Sequence, residues 1–309
     1  MENVRILCEK MIDDNINGSI DSYVRELLTM AVMAIVLDNG EYAYEKLPTI
    51  LQRLNIYAED KSVLDIAHDE LGNYSEDDEL RDADASATRS LAIDEETNEV
   101  EEHLNFLISL TDVEKKDATK MIEKTINGLI HFMRYGKINV IDSAITIKDG
   151  ICTINYNKNT NKLRRKHFTL EGGISQYYTL RALSKLYVFV EKDDSINSTL
   201  INKFKDEYLE YNPTSNFLSV SIIESLCEDS HFKELLDSSF EECDGPSEIA
   251  TYYNNVLHDS MAFSLLSKQL DSCEKEISVG NEDRAISLIG NIKSDVARFK
   301  KEYFTYKKK

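Results

Sequence analysis

Two groups of side chains in this 309-residue sequence have the types and spacing to do chemistry. Lys158, Lys162, Arg164, Arg165, Lys166 and His167 place five cations and an imidazole within ten residues of an otherwise acidic chain. Cations that close together meet phosphates or carboxylates, so the cluster is a candidate contact for nucleic acid or for an acidic partner. The competing structural reading is an edge strand protected by charge, as natural sheets commonly use. A third is docking on the chain's own acidic segment. The second group is histidine beside aspartate, at His68-Asp69 and His258-Asp259, with His231, Asp271 and Asp295 as possible further ligands. Imidazole and carboxylate together suit a divalent metal and metal-assisted hydrolysis. Exposed helix surface is the bland alternative.

The two His-Asp pairs resemble the metal-binding dipeptide of helical HD phosphohydrolases. That resemblance implies a metal-dependent hydrolase on a helical fold. A separate stretch, Met33-Ala34-Ile35-Val36-Leu37-Asp38-Asn39-Gly40-Glu41 with Glu45 following, looks like the acidic turn between helices in TerB-like tellurite-resistance domains. It implies metal association through Asp38, Glu41 and Glu45, against the simpler reading of a helix end followed by exposed acids. Other signatures are missing from the sequence. Gly136-Lys137 lacks the upstream glycine and the Ser or Thr of a phosphate loop, and Gly172-Gly173-Ile174-Ser175 lacks the second flanking glycine of a nucleophile elbow. The residues therefore lean away from an enzyme, and no cofactor is expected.

The elements that must carry these groups read as mainly helical. Ser19 is placed to cap a helix bearing Ile20, Val24, Leu27, Leu28, Ala31, Val32 and Ile35, which Asn39-Gly40 ends. Pro48 suits the first turn of a next helix with Ile50, Leu51, Leu54 and Tyr57 as its stripe. A short piece follows over 63–71. Residues 73–100 hold few large side chains and read as an acidic linker or solvated excursion. Helical periodicity resumes at Leu104, Leu107, Ile108 and Leu110, and again from Ala118 through Ile122, Ile126, Leu129, Ile130 and Met133, with Gly136 as the stop.

Character changes at Ile145-Thr146-Ile147-Lys148-Asp149-Gly150-Ile151-Cys152-Thr153-Ile154, where an Asp-Gly turn separates β-branched runs. With a second turn at Lys158-Asn159-Thr160-Asn161 this predicts an antiparallel meander at about 138–170. The basic cluster then lies on its last strand and turn. Preceded by a helix carrying Lys115, Lys116, Lys120 and Lys124, the meander could form the wing of a winged-helix unit. Gly172-Gly173 leads into another helix. Near the C-terminus, Phe263, Leu266, Leu270, Cys273 and Ile277, then Ala285, Ile289, Ile292, Val296, Phe299 and Tyr303, alternate in steps of three and four and predict a helical hairpin within about 247–306. Phe299, Tyr303, Phe304 and Tyr306 exceed what one stripe buries, so part of that surface is a candidate partner contact.

These readings combine into helical bundles with a small inserted antiparallel β meander and a C-terminal helical hairpin. The expected division is an N-terminal helical domain at 1–72, the acidic segment at 73–100 and an α-rich domain at 101–309. The net charge is −20, and residues 69–102 hold fourteen acidic and two basic residues, so about −12 of it is concentrated there. That concentration in an open segment argues against a rigid duplex mimic. Five scattered cysteines without a Cys-x-x-Cys pair argue against a disulfide framework or zinc knuckle, and no apolar run approaches the roughly 20 residues of a membrane span. A cytoplasmic location follows as an expectation. The function these features favour is a non-enzymatic protein–protein interaction protein, an accessory or regulatory subunit of a larger complex or a homo-oligomer. The alternatives are a nucleic-acid-associated protein using the meander and an HD-like hydrolase.

Overall fold

The computed structural model describes residues 2–16, 18–72, 83–94, 97, 99–141, 144–193, 197–213, 216–242 and 247–306. The fold is mainly α with two small sheets. By compactness the chain forms two units that interleave in sequence, residues 1–133 with 178–212 and residues 134–177 with 213–309. This differs from the division at residues 72 and 100 expected from composition, because composition does not register which segments pair over long separations. The charge divides very unevenly. The first unit holds 17 Lys and Arg against 36 Asp and Glu, and the second 19 against 20. No helix among the described residues is long and apolar enough to cross a membrane.

The first unit begins with α1 (Glu2–Asn15) and α2 (Ser22–Gln52). Asp21, not Ser19, caps α2, its carboxylate accepting from the backbone N–H groups of Tyr23 and Val24. Gly40 (φ 52°, ψ −124°) kinks α2 where the sequence places a helix end, and the chain continues helically past Pro48 to Gln52. Leu54 and Tyr57, expected on a helical stripe, instead lie in β1 (Leu54–Glu59). After α3 (Val63–Leu71) come β2 (Ala85–Ile93) and β3 (Val100–Ser109), in a sheet ordered β1-β3-β2 with β1 parallel and β2 antiparallel to β3. Thus Leu104, Leu107 and Ile108 belong to a central strand. Residues 104–109 are all buried, so the run has no strand-like alternation, and its chance spacing imitated a helix.

The segment expected as a linker contains β2, paired with β3 from Ala85 opposite Ile108 to Ile93 opposite Val100. Its small residues have a packing reason. A Cβ added at Gly128, on α4 (Ala118–Met133), would stand 2.7 Å from the Ala87 Cβ and 3.1 Å from the Phe106 ring. Helix and strand approach so closely that only Ala and Gly fit, and composition alone cannot tell such a contact from a solvated excursion. The rest of the acidic stretch, residues 73–82, 95, 96 and 98, lies outside the described residues.

The second unit opens with a four-stranded meander, β4 (Tyr135–Ile141), β5 (Ala144–Asp149), β6 (Cys152–Asn157) and β7 (Lys162–Lys166), in that spatial order and antiparallel throughout. It starts and ends a few residues earlier than the sequence predicts. Helix α5 (Phe168–Glu191) then begins ahead of Gly172-Gly173 and runs through both glycines. An added Cβ at Gly173 would sit 2.4 Å from the Ser219 Cβ on a later helix, so this glycine again marks close packing and no break. Residues of α5 up to Tyr177 belong to the second unit and those beyond it, with α6 (Thr199–Tyr208), to the first.

The remaining helices are α7 (Phe217–Leu226), α8 (Ser230–Glu242), α9 (Ser247–Leu257), α10 (Ala262–Ser278) and α11 (Glu282–Tyr306). The last two form the expected hairpin. Phe263, Leu266, Leu270, Cys273, Ala285, Ile292, Val296, Phe299 and Tyr303 are buried, while Ile277 at the seam's end is 57 % exposed.

Candidate functional site

The meander presents two chemically different faces. Successive residues of a strand point to opposite sides and directly opposed residues share a side. The pairing Asn139–Thr146–Asn155–Arg164 therefore forms one row across all four strands. Beside it run Lys148–Thr153–Lys166 and Ala144–Asn157–Lys162. Lys137 lies in the irregularity of β4 between Tyr135 and Ile138 and, next to Ile138, falls by alternation on the side of Asn139. This face carries Lys137, Lys148, Lys162, Arg164 and Lys166, lined with Asn and Thr, and no carboxylate among the described residues of its strands. Its margins, Lys137, Asn139, Ile141, Lys162, Arg164 and Lys166, are exposed. Opposite lie Ile138, Val140, Ile145, Ile147, Ile154 and Tyr156, buried or half-buried, with Leu163 exposed on β7 at the sheet's edge. The sheet is amphipathic, with its solvent side cationic.

The structure thus divides the sequence-predicted cluster. Lys162, Arg164 and Lys166 share the polar face. Arg165 points to the other side and lies over the Phe168 ring, 4.7 Å from its centroid. Lys158 sits in the β6–β7 turn, which Asn157 shapes by accepting from the Thr160 N–H (3.0 Å) and hydroxyl (3.1 Å). Lys137 and Lys148, which sequence reading left outside the cluster, join it only through strand pairing. The helix with Lys120 and Lys124, proposed as the partner of a wing, belongs to the first unit and the meander to the second.

A buried ion pair positions the meander. Glu171, one turn into α5, takes Arg134 in a two-pronged contact, Nε to Oε1 at 2.5 Å and Nη2 to Oε2 at 2.8 Å. It also accepts from the Ile151 N–H (2.8 Å) and the Ser175 hydroxyl (3.3 Å). The Asp149-Gly150 turn, at Gly150 φ 53°, is thereby fastened to α5, and the Gly150 N–H donates to the Arg134 carbonyl at 2.8 Å. Nearby, burial first and the Glu171 charge second push the Cys152 thiol up to about 12, so it stays protonated and serves packing.

His167 joins β7 to α5 in the left-handed region (φ 60°) and packs against Phe263, ring centroids 5.5 Å apart. Its Nδ1 is buried without a hydrogen-bond partner among the described residues. Desolvation lowers its pKa; Asp271 opposes this and Lys166 adds to it. The folded state therefore binds fewer protons here than the unfolded chain. Stability is fully present above the ordinary histidine value of 6.5 and falls as pH drops below it. His167→Asn, which tolerates the left-handed backbone, should show a smaller loss between about pH 7 and pH 5 than the native chain in urea titrations. Equal losses would remove His167 as the cause.

The first turn of α5 is already occupied. Asp271 accepts from the Thr169 N–H (3.1 Å) and Glu274 from the Thr169 hydroxyl (2.7 Å), both reaching across from α10. Together with Arg165 and Phe168 they line a shallow open cavity of about 370 Å³. Its charged lining is Arg165 and Lys275 with Asp271 and Glu274.

The other predicted sites do not converge. His68 and Asp69 are exposed in the first unit, where Asp69 pairs with Lys61 at 2.9 Å. His258 is the left-handed residue (φ 52°) that ends α9, and Asp259 accepts from the Met261 N–H two residues on. The dipeptide is thus in an interhelical turn, not on a helix. His231 packs on Tyr252, Asp271 caps α5, and Asp295 is half-buried on α11. The Asp38 side chain is fully buried and held by Arg181 (3.2 Å) and Lys185 (3.0 Å), whereas Glu41 and Glu45 are exposed. No group of three or more His, Cys, Asp or Glu among the described residues is placed to hold a metal ion.

Phe299 and Tyr303, expected on a partner surface, are interior. Phe299 is 1 % exposed, stacked on Tyr253 with centroids 4.8 Å apart and edge-on to Phe232. Both point into the unit because α11 faces α9 and α8 as well as α10, a breadth of burial that a two-helix seam does not anticipate. The side chains of Phe304 and Tyr306 lie outside the described residues. Fold and site define a mainly α protein bearing a small amphipathic antiparallel meander. Comparison with protein-family models, curated proteins and solved structures finds no match.

Proposed function

We propose that the chain is a non-enzymatic interaction protein, an accessory or regulatory component of a larger assembly, and that it contacts its partner through the cationic face of the meander. The observation that carries this reading is the sorting of charge. A chain of net charge −20 collects five cations on one face of one sheet, with no described carboxylate among them. Charged faces of one sign steer and orient an oppositely charged partner. Supporting it, the buried Arg134–Glu171 pair and the Ile151 N–H that donates to Glu171 fasten a turn of the meander to α5, which suits a scaffold.

The test is the native size of the protein in extracts of its own cells. The wild-type chain of 35.4 kDa should migrate within a larger assembly, and Lys162→Glu with Arg164→Glu and Lys166→Glu should release it. Wild-type protein migrating at the mass of a single chain would end the proposal.

A further inference from the structure

We infer that the partner of the meander face is the phosphodiester backbone of a nucleic acid, an inference that rests on the proposed function above. Three features of the face point to phosphate over an acidic protein. First, it lacks an apolar anchor. Protein–protein contacts are built around aromatic and aliphatic centres with charge depleted at the core, whereas nucleic-acid contacts are more polar and far more positive. Here the central rows are Thr146, Asn155, Lys148 and Thr153, and the large apolar side chain of the face, Ile141, sits at a corner.

Second, the cations are regularly spaced. Lys162, Arg164 and Lys166 alternate along β7, so they recur about every 6.7 Å, two strand residues apart. That interval is of the order separating successive phosphates of one extended strand.

Third, the neutral residues between the cations are donors of the kind that bind phosphate and sugar. The Thr146 hydroxyl donates to Asn155 Oδ1 at 3.0 Å, which fixes the amide and leaves its nitrogen without a partner among the described residues. Among the described residues no aromatic ring lies on this face for bases to stack upon. Recognition is therefore of backbone and not of sequence.

Fluorescence anisotropy of the full chain with a labelled mixed-sequence DNA duplex, its single strand and an RNA strand tests this. With about three phosphates neutralised by Lys162, Arg164 and Lys166, the duplex affinity should fall with salt at a log–log slope of about −3 between about 50 and about 200 mM. Lys162→Glu, Arg164→Glu and Lys166→Glu together should weaken binding more than tenfold and reduce the slope to about −2 or shallower, as should the triple glutamine variant to a lesser degree. The charge-matched variant Lys233→Glu, Lys268→Glu, Lys293→Glu, altered at exposed helical sites of the same unit, should bind within about twofold of wild type if the meander is the site. Absence of binding to all three probes, or equal binding by the meander and control variants, overturns the inference. If such a result accompanies a native assembly that withstands nuclease yet is lost in the meander variant, the face takes an acidic protein and only the nucleic-acid inference falls. If the assembly survives in the meander variant, the proposed function falls with it.

Discussion

Glu171→Ala should lower the stability of the second unit by about 3–5 kcal/mol in urea titrations, the cost of leaving a buried charge without its counter-ion. Arg134 is 1 % exposed and Glu171 5 %, so water cannot take over the lost contacts. The same change removes the acceptor of the Ile151 N–H and one acceptor of the Ser175 hydroxyl, which adds to the cost. Arg134→Met combined with Glu171→Met should be less damaging than Glu171→Ala alone, because both charges leave together. Gly150→Ala probes the same knot from the backbone. Its Cβ would lie 2.3 Å from Glu171 Oε2 and 2.5 Å from Arg134 Nη2, at a φ of 53° that favours glycine. A Glu171→Ala protein within about 1 kcal/mol of wild type would show that this pair does not hold the meander.

Phe299→Ala should cost about 3–5 kcal/mol, the range for emptying a fully packed aromatic site. Its ring is stacked on Tyr253 at an interplanar angle of 11° and meets Phe232 and Tyr252 edge-on, so the loss includes aromatic contacts beyond buried area. The outcome separates two roles. A residue on a partner surface would lose binding and keep its stability, whereas a core residue loses stability first. Ile286→Ala on the same helix, at a side chain 66 % exposed, should change stability by no more than about 0.5 kcal/mol. Similar small effects for both substitutions would place Phe299 outside the core.

The meander was the most legible part of the fold, and for a local reason. Its register is set by an Asp-Gly turn and by β-branched runs that are neighbours in sequence, so adjacent residues suffice to specify it. The C-terminal hairpin was legible likewise, since a sustained three-four spacing is a property of each helix alone. The three-stranded sheet was not. Leu54–Glu59 pairs with a strand 50 residues away, opposite Leu104 to Ser109, and no local pattern marks that partnership. Small residues misled for a related reason. Ala87 and Gly173 read as linker or break, yet each stands where two elements nearly touch, Ala87 against Gly128 and Gly173 against Ser219.

The candidate site shows the same boundary. Sequence order by itself determined that cations gather near residues 158–166, that they lie on a strand and turn, and that the chain is mainly helical. Only the tertiary structure decided which of them act together. Strand pairing brought Lys137 and Lys148 beside Lys162, Arg164 and Lys166, and strand alternation turned Arg165 away to Phe168. Tertiary packing also took Asp38, Phe299 and Tyr303 out of contention by burying them among partners from distant helices. Periodicity fixes which way a side chain points within its own element, but what stands opposite it depends on contacts between segments far apart in the chain, and those carry no signature until the segments meet.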